Sequence, residues 1–162
     1  MDFDVWLGFF AACWVISLSP GAGAIASMSS GLQFGFRRGY WNVIGLQLAL
    51  ALQILIVAAG VGAVLATSAL AFNLIKWFGV AYLLYLAYKQ WQQPPSVVSA
   101  EQRAEQQVQP LAMMFRGFLV NISNPKAIVF MLAVLPQFIT PSDPLVPQYG
   151  LMMATMIAVD MI

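Results

Sequence analysis

The tightest constraint on this fold is a proline set inside each of two apolar stretches long enough to cross a lipid bilayer. One lies in Ser19-Pro20-Gly21-Ala22-Gly23, the other in Asn124-Pro125-Lys126, and the two prolines are 105 positions apart. Proline has no backbone N–H and clashes with the carbonyl four residues earlier, so a helix that contains one carries freed polar groups. In hydrocarbon such groups must find partners inside the protein or line a water-filled cavity. Two interrupted spans at corresponding places in two halves of a chain point to a transporter's binding site.

Apolar windows of about 20 residues, the length a helix needs to cross about 30 Å of hydrocarbon, run over Val5–Ser27, Trp41–Leu65, Leu70–Tyr88 and Ala112–Leu135. A fifth starts near Gln148 and is still running at Ile162. Only 8% of the 162 residues are charged and 61% are hydrophobic, whereas a soluble domain has about a quarter charged. The fold class is therefore an all-α membrane protein, a multi-pass helical bundle. Asp2 and Asp4 stand where a secretory signal carries positive charge, so the first window is a membrane helix and not a leader.

Several function classes fall away on composition. A net charge of +1 without a basic cluster gives no footprint for nucleic acid. With no histidine and one cysteine, Cys13, there is no histidine acid–base chemistry, no Cys/His metal site and no internal disulfide. Cys13 lies in an apolar run and reads as a small hydrophobe. No cofactor is called for.

Arg37, Arg38, Lys89, Arg103 and Arg116 flank or lie within two connections, while the N-terminus, Ala66–Ala69 and Pro136–Pro147 contain no lysine or arginine. The positive-inside rule then puts the N-terminus outside, in the periplasm. Gln90–Pro110 is polar and rich in Gln, Pro and Ser, a solvated linker that divides the chain. Residues 1–91 form a first three-helix repeat broken at 19–23, residues 92–110 a cytoplasmic linker, and residues 111–162 an incomplete second repeat broken at 124–126. Three helices per half is odd, so the halves enter the membrane in opposite senses, an inverted 3+3 repeat. Continued for its full length, the second half would run some 35 residues past Ile162, so the last one to two helices are expected to be incomplete or missing, a C-terminal truncation that should transport poorly on its own.

In the first break, a proline and two glycines lower helix propensity over consecutive positions. The unwound carbonyls and the N–H groups of the second half-helix would line a polar cavity, and an amino-acid carboxylate suits those N–H groups. Lys126 is sharper: a lysine at the positive end of a new half-helix, deep in the membrane, calls for an anion. Asp160 is the acidic residue well inside a predicted span. Lys126 is expected to receive the substrate carboxylate, and Asp160 to bind either the substrate ammonium or the coupling proton, against a plainer reading in which Lys126 snorkels or makes a static ion pair. Gln47, Gln53, Asn42 and Asn121 are uncharged polar residues within spans and act as interhelical glue, with Gln47 and Asn121 deep enough to touch substrate. Lys76 snorkels at the outer face. Gly31, Gly35 and Gly39 read as turn and close-packing positions, and Trp6, Trp41, Trp77, Trp91, Tyr40 and Tyr88 as an interfacial belt.

These stretches resemble the lysine-exporter (LysE-type) superfamily of bacterial amino-acid effluxers, above all its homoserine/homoserine-lactone branch. The likeness rests on Ser17-Leu-Ser-Pro-Gly-Ala-Gly-Ala24, Ile44-Gly-Leu-Gln47, Lys76-Trp-Phe-Gly-Val-Ala-Tyr-Leu83, Asn121-Ile-Ser-Asn-Pro-Lys-Ala-Ile-Val-Phe130, Pro136-Gln-Phe-Ile139 and Val159-Asp160. The resemblance implies a six-helix carrier in the bacterial inner membrane that exports amino acids by a proton gradient. Basic-amino-acid exporters of that family carry an aspartate near the position of Gln47, so its absence favours a small neutral substrate such as homoserine, its lactone or threonine.

The expected activity is thus secondary active efflux by alternating access, with Ser19, Pro20, Gly21, Gly23, Gln47, Asn121, Asn124, Pro125 and Lys126 binding substrate and Asp160 coupling protons. The partners are the amino-acid substrate, protons and the lipid bilayer, with a homodimer left open. Export of another neutral amino acid such as leucine is the nearest rival. A non-transporting or channel-forming membrane subunit is another. An enzyme is disfavoured by the lack of paired carboxylates or a nucleophile–base spacing.

Overall fold

The computed structural model describes residues 1–19, 21–67, 69–92 and 109–161. Pro20, Ser68, most of the linker (93–108) and Ile162 lie outside the described residues. Every regular element within them is helical: α1 (Phe3–Leu18), α2 (Ala22–Phe34), α3 (Phe36–Thr67), α4 (Ala69–Trp91), α5 (Pro110–Ile122), α6 (Pro125–Val129), a π turn (Phe130–Val134), a 3-10 turn (Leu135–Phe138) and α7 (Leu145–Met161). Phe36–Gly60 is long and apolar enough to cross a membrane by itself. The α1–α2 pair, bent by 55°, and the pair Pro110–Ile122 with Pro125–Phe138, bent by 52°, each pass the same test as one span.

The two bends fall at the two proline motifs. The first span runs further than its apolar window, to Phe34, and ends at Gly35, its C-cap. Gly35 has a φ of +78°, a conformation that glycine adopts freely and other residues resist. Immediately beyond, Gly39 of α3 meets α2 so closely that an added Cβ would lie 2.9 Å from Gly31 backbone atoms. The spaced glycines thus serve one turn and one close contact, as the sequence implies.

A second close contact clamps α3 to α5. A Cβ at Gly45 would sit 1.9 Å from the Met114 carbonyl oxygen, and one at Gly117 would sit 2.1 Å from that of Asn42. Small residues let membrane helices approach until backbone touches backbone, where dispersion replaces the absent hydrophobic drive. Asn121 Nδ2 donates to the Leu46 carbonyl (2.8 Å) and Gln53 Nε2 to the Asn121 carbonyl (3.1 Å) across the same seam. Asn121 and Gln53 are thus the interhelical glue expected of them. Asn42 is fully buried at this interface, and neither of its side-chain polar atoms has a hydrogen-bond partner among the described residues.

The apolar core lies where α1, α3, the π turn and α7 meet, around Phe9, Cys13, Ile54, Met131, Leu135 and Met152. Cys13 is packed there, not turned toward lipid. Trp6 Nε1 donates to Thr155 Oγ1 (3.1 Å), tying α1 to α7, so this member of the expected belt is also a packing residue. The helix of the fourth window widens into the π turn just ahead of Pro136, which cannot donate to the carbonyl four residues back; the Leu135 N–H instead reaches Phe130, five back. Beyond it, Gln148 closes the loop before α7 by accepting from the Thr140 N–H and donating to the Thr140 carbonyl, both at 2.9 Å. The Met1 amino group pairs with Asp143 of that loop at 2.7 Å.

Candidate functional site

Each proline leaves the carbonyl four residues earlier without its helical donor, and the fold answers the two orphans differently. At the second break the orphan is the Asn121 carbonyl, which accepts from the Asn124 N–H (3.0 Å) and from Gln53 Nε2 (3.1 Å). Pro125 occupies the first helical position of α6, where a missing N–H costs nothing. Asn124 caps that helix: its Oδ1 accepts from the Lys126 N–H at 3.1 Å. The break is closed almost entirely by its own residues and by α3.

At the first break the orphan is the Ile16 carbonyl. Here the donor comes from the other break, because Lys126 Nζ donates to Ile16 O (2.6 Å) and also to Ser19 O. The lysine stem passes Gly21, whose added Cβ would stand 3.4 Å from Nζ. Gly21 is the N-cap of α2 and brings no side-chain acceptor, so the first-turn N–H groups of α2 are left without a side-chain cap.

Lys126 therefore meets its compensation in a form the sequence does not spell out. Its ammonium sits at the carbonyl end of α1, the negative pole of that helix. Among the described residues no ion pair joins it to Asp160; the two instead face one cavity.

That cavity, of about 610 Å³, opens between the breaks and is of the size that holds a small ligand. Ser19, Gly21 and Gly23 line it from the first break, Gln47 from α3, Asn121, Asn124 and Lys126 from the second break, and Asp160 from α7. Pro125 is exposed and does not line it, and Pro20 is outside the described residues. Ser17 and Gln47 are the hydrogen-bonding side chains that bear on the Asp160 carboxyl. Gln47 Oε1 is buried without a hydrogen-bond partner among the described residues. Ser17, Ser27 and Tyr40 also line the cavity. Their signal was present, as hydroxyls within or beside apolar windows, but weaker than that of a charge or a proline. Leu46, Leu50, Phe130, Met131 and Met156 supply the apolar wall.

The chemistry on offer is one carboxyl group, uncapped helix N–H donors, side-chain amides and an apolar flank. Such a set is complementary in chemistry to a small zwitterion: donors to match carboxyl oxygens, a carboxylate to match an ammonium, apolar surface to match a side chain. Among the described residues no group of three or more His, Cys, Asp or Glu gathers to hold a metal.

Residues 14–162 match the model of the family described as LysE type translocator. The chain is 40% identical to an uncharacterized membrane protein of Vibrio cholerae and 37% identical to a homoserine/homoserine lactone efflux protein of Salmonella typhimurium, in each case over 100% of this chain and 78% of the relative. It is 28% identical to a leucine efflux protein of Salmonella choleraesuis over 87% of this chain and 66% of the relative. No solved structure matches.

Proposed function

The chain belongs to the LysE type translocator family, and from that premise we propose that it exports small neutral amino acids or their derivatives, homoserine, homoserine lactone and threonine, across the bacterial inner membrane in exchange for protons. The observation that carries this reading is the cavity in which both proline breaks and Asp160 meet. Support for the substrate class comes from the Salmonella typhimurium relative named for homoserine and its lactone.

Homoserine and its lactone share an α-ammonium and a carbonyl oxygen, but the lactone carries no carboxylate. In the proposed site the shared carbonyl oxygen faces the uncapped N–H groups at the start of α2, near Gly21 and Gly23, and the ammonium faces Asp160. Asp160 takes a proton from the periplasm as the substrate leaves and gives it to the cytoplasm before the next substrate binds. One carboxyl group that holds either a proton or an ammonium makes the exchange obligatory. Alternating access follows if the two halves rock about the breaks, with the N-terminus in the periplasm. The inverted relation between the halves is supported by an exchange of partners, α3 packing on α5 and α7 on α1, and by the contact of Gly21 with Lys126, which occupy equivalent positions of the repeat.

Proteoliposomes test this directly. An imposed proton gradient is expected to raise homoserine movement above its gradient-free level, and Asp160→Asn to remove that rise. Flux that survives collapse of the gradient would make the protein a channel, and full accumulation with Asp160→Asn would remove the coupling role. The apolar wall and the leucine efflux relative favour a second reading, leucine export; excess leucine outcompeting homoserine would establish it.

A further inference from the structure

Lys126 reaches from the second break to the first, and what it touches there is backbone. Ile16 is four residues before Pro20, so its carbonyl has no helical donor, whatever the conformation of the proline. Ser19, the C-cap of α1, is extended (ψ 113°), so its carbonyl also lies outside the helix ladder. Both accept from Lys126 Nζ. Two of the three donors of the ammonium are occupied this way, and its positive charge lies at the negative end of α1. The next helix, α2, begins three residues later, at Ala22, and among the described residues its N-terminus has no side-chain cap.

We propose that Lys126 is a positioning residue that fixes the first break, and through it the α2 N-terminus, and that it does not pair with a substrate carboxylate. It holds the end of α1 against the second break, so that the donors at the start of α2 are presented in one place. Rocking of the halves then carries both breaks together, since one side chain links them. A substrate without a carboxylate needs this arrangement as much as one with it. The inference deepens the exporter reading and rests on it for the ligands, but the linkage itself does not.

The test uses the full chain in detergent, with ligand-induced shifts in Tm and hydrogen–deuterium exchange as readouts. Lys126→Met is expected to lower the Tm of the ligand-free protein by about 5 °C and to speed exchange at least about tenfold in the first turn of α2. It should shrink the Tm shifts given by homoserine and by homoserine lactone by the same factor, and Lys126→Arg should restore both. Loss of the homoserine shift with an intact lactone shift would assign Lys126 to the carboxylate and overturn the proposal. So would unchanged exchange at Ala22–Ile25 in Lys126→Met. A wild-type protein that responds to neither ligand sinks the exporter reading alone, because Tm and exchange of the ligand-free protein still decide the linkage.

Discussion

The two broken helices share a proline and differ in how they are closed. The second is closed by its own residues and by α3: Asn124 caps α6, Pro125 occupies a position that needs no donor, and Gln53 supports the Asn121 carbonyl from α3. The first borrows its donor from the second through Lys126 and leaves the start of α2 without a side-chain cap. The contrast separates a hinge that is braced from one that is left open toward a cavity. Polar groups left unfilled by the protein are the ones a ligand can use.

The brace is the place to strike hardest. Gly45→Ala drives a methyl group into the Met114 carbonyl, and overpacking against backbone should cost about 3 kcal/mol. Thermal unfolding in detergent would show the loss, and exchange should rise around Ser123–Lys126 before it rises in α2. Equal loosening of both breaks would mean that the brace serves the whole molecule and that the contrast is false.

Asn124→Ala removes the cap of α6 and should cost about 1 kcal/mol, with Asn124→Asp restoring most of it. Gln53→Met should cost less, about 0.6 kcal/mol, the usual worth of an interhelical hydrogen bond in a membrane protein, because the Asn124 N–H still serves the Asn121 carbonyl. Neither change is expected to alter exchange at the start of α2. If Gln53→Met loosened the first break, the two sites would be coupled through α3 and not through Lys126.

The smallest effect belongs to a tie remote from both breaks. The Met1 ammonium hydrogen-bonds Asp143 and, with Ser142, holds its carboxyl below the ordinary carboxylate range. A carboxyl with a depressed pKa in the folded state stabilises above its unfolded pKa and loses that contribution as pH falls through the folded one. The Tm difference between the native chain and Asp143→Asn should therefore be present at neutral pH and vanish on acidification through that range. A difference that grew with acidification would contradict the pairing.

Much of this contrast is legible in the residues themselves. The prolines are visible in sequence, and covalent chemistry alone names Ile16 and Asn121 as the carbonyls they orphan. Composition and window length give the membrane class and the helices. The residues expected around the substrate, apart from Pro20 and Pro125, line one cavity, because polar groups in an apolar span have few other places to go. What sequence hides is the partner when the partner is backbone. Every residue has a carbonyl, so nothing in the string tells Lys126 to seek Ile16 and Ser19 in place of an acid. The π turn is hidden for a related reason: Phe130–Val134 is ordinary apolar sequence, and its widening is set by Pro136 and by packing. Ala133 there lies 2.1 Å from where a Cβ on Gly79 of α4 would be.

The central claim is that both breaks face one substrate, and protection of cysteines tests it most directly. With the buried Cys13 replaced by Ala, Ser19→Cys and Ala127→Cys place a thiol on the cavity side of the first and second break in turn. Homoserine is expected to slow alkylation of both thiols with the same concentration dependence. Protection of only one thiol, or of neither while transport persists, would contradict a shared site.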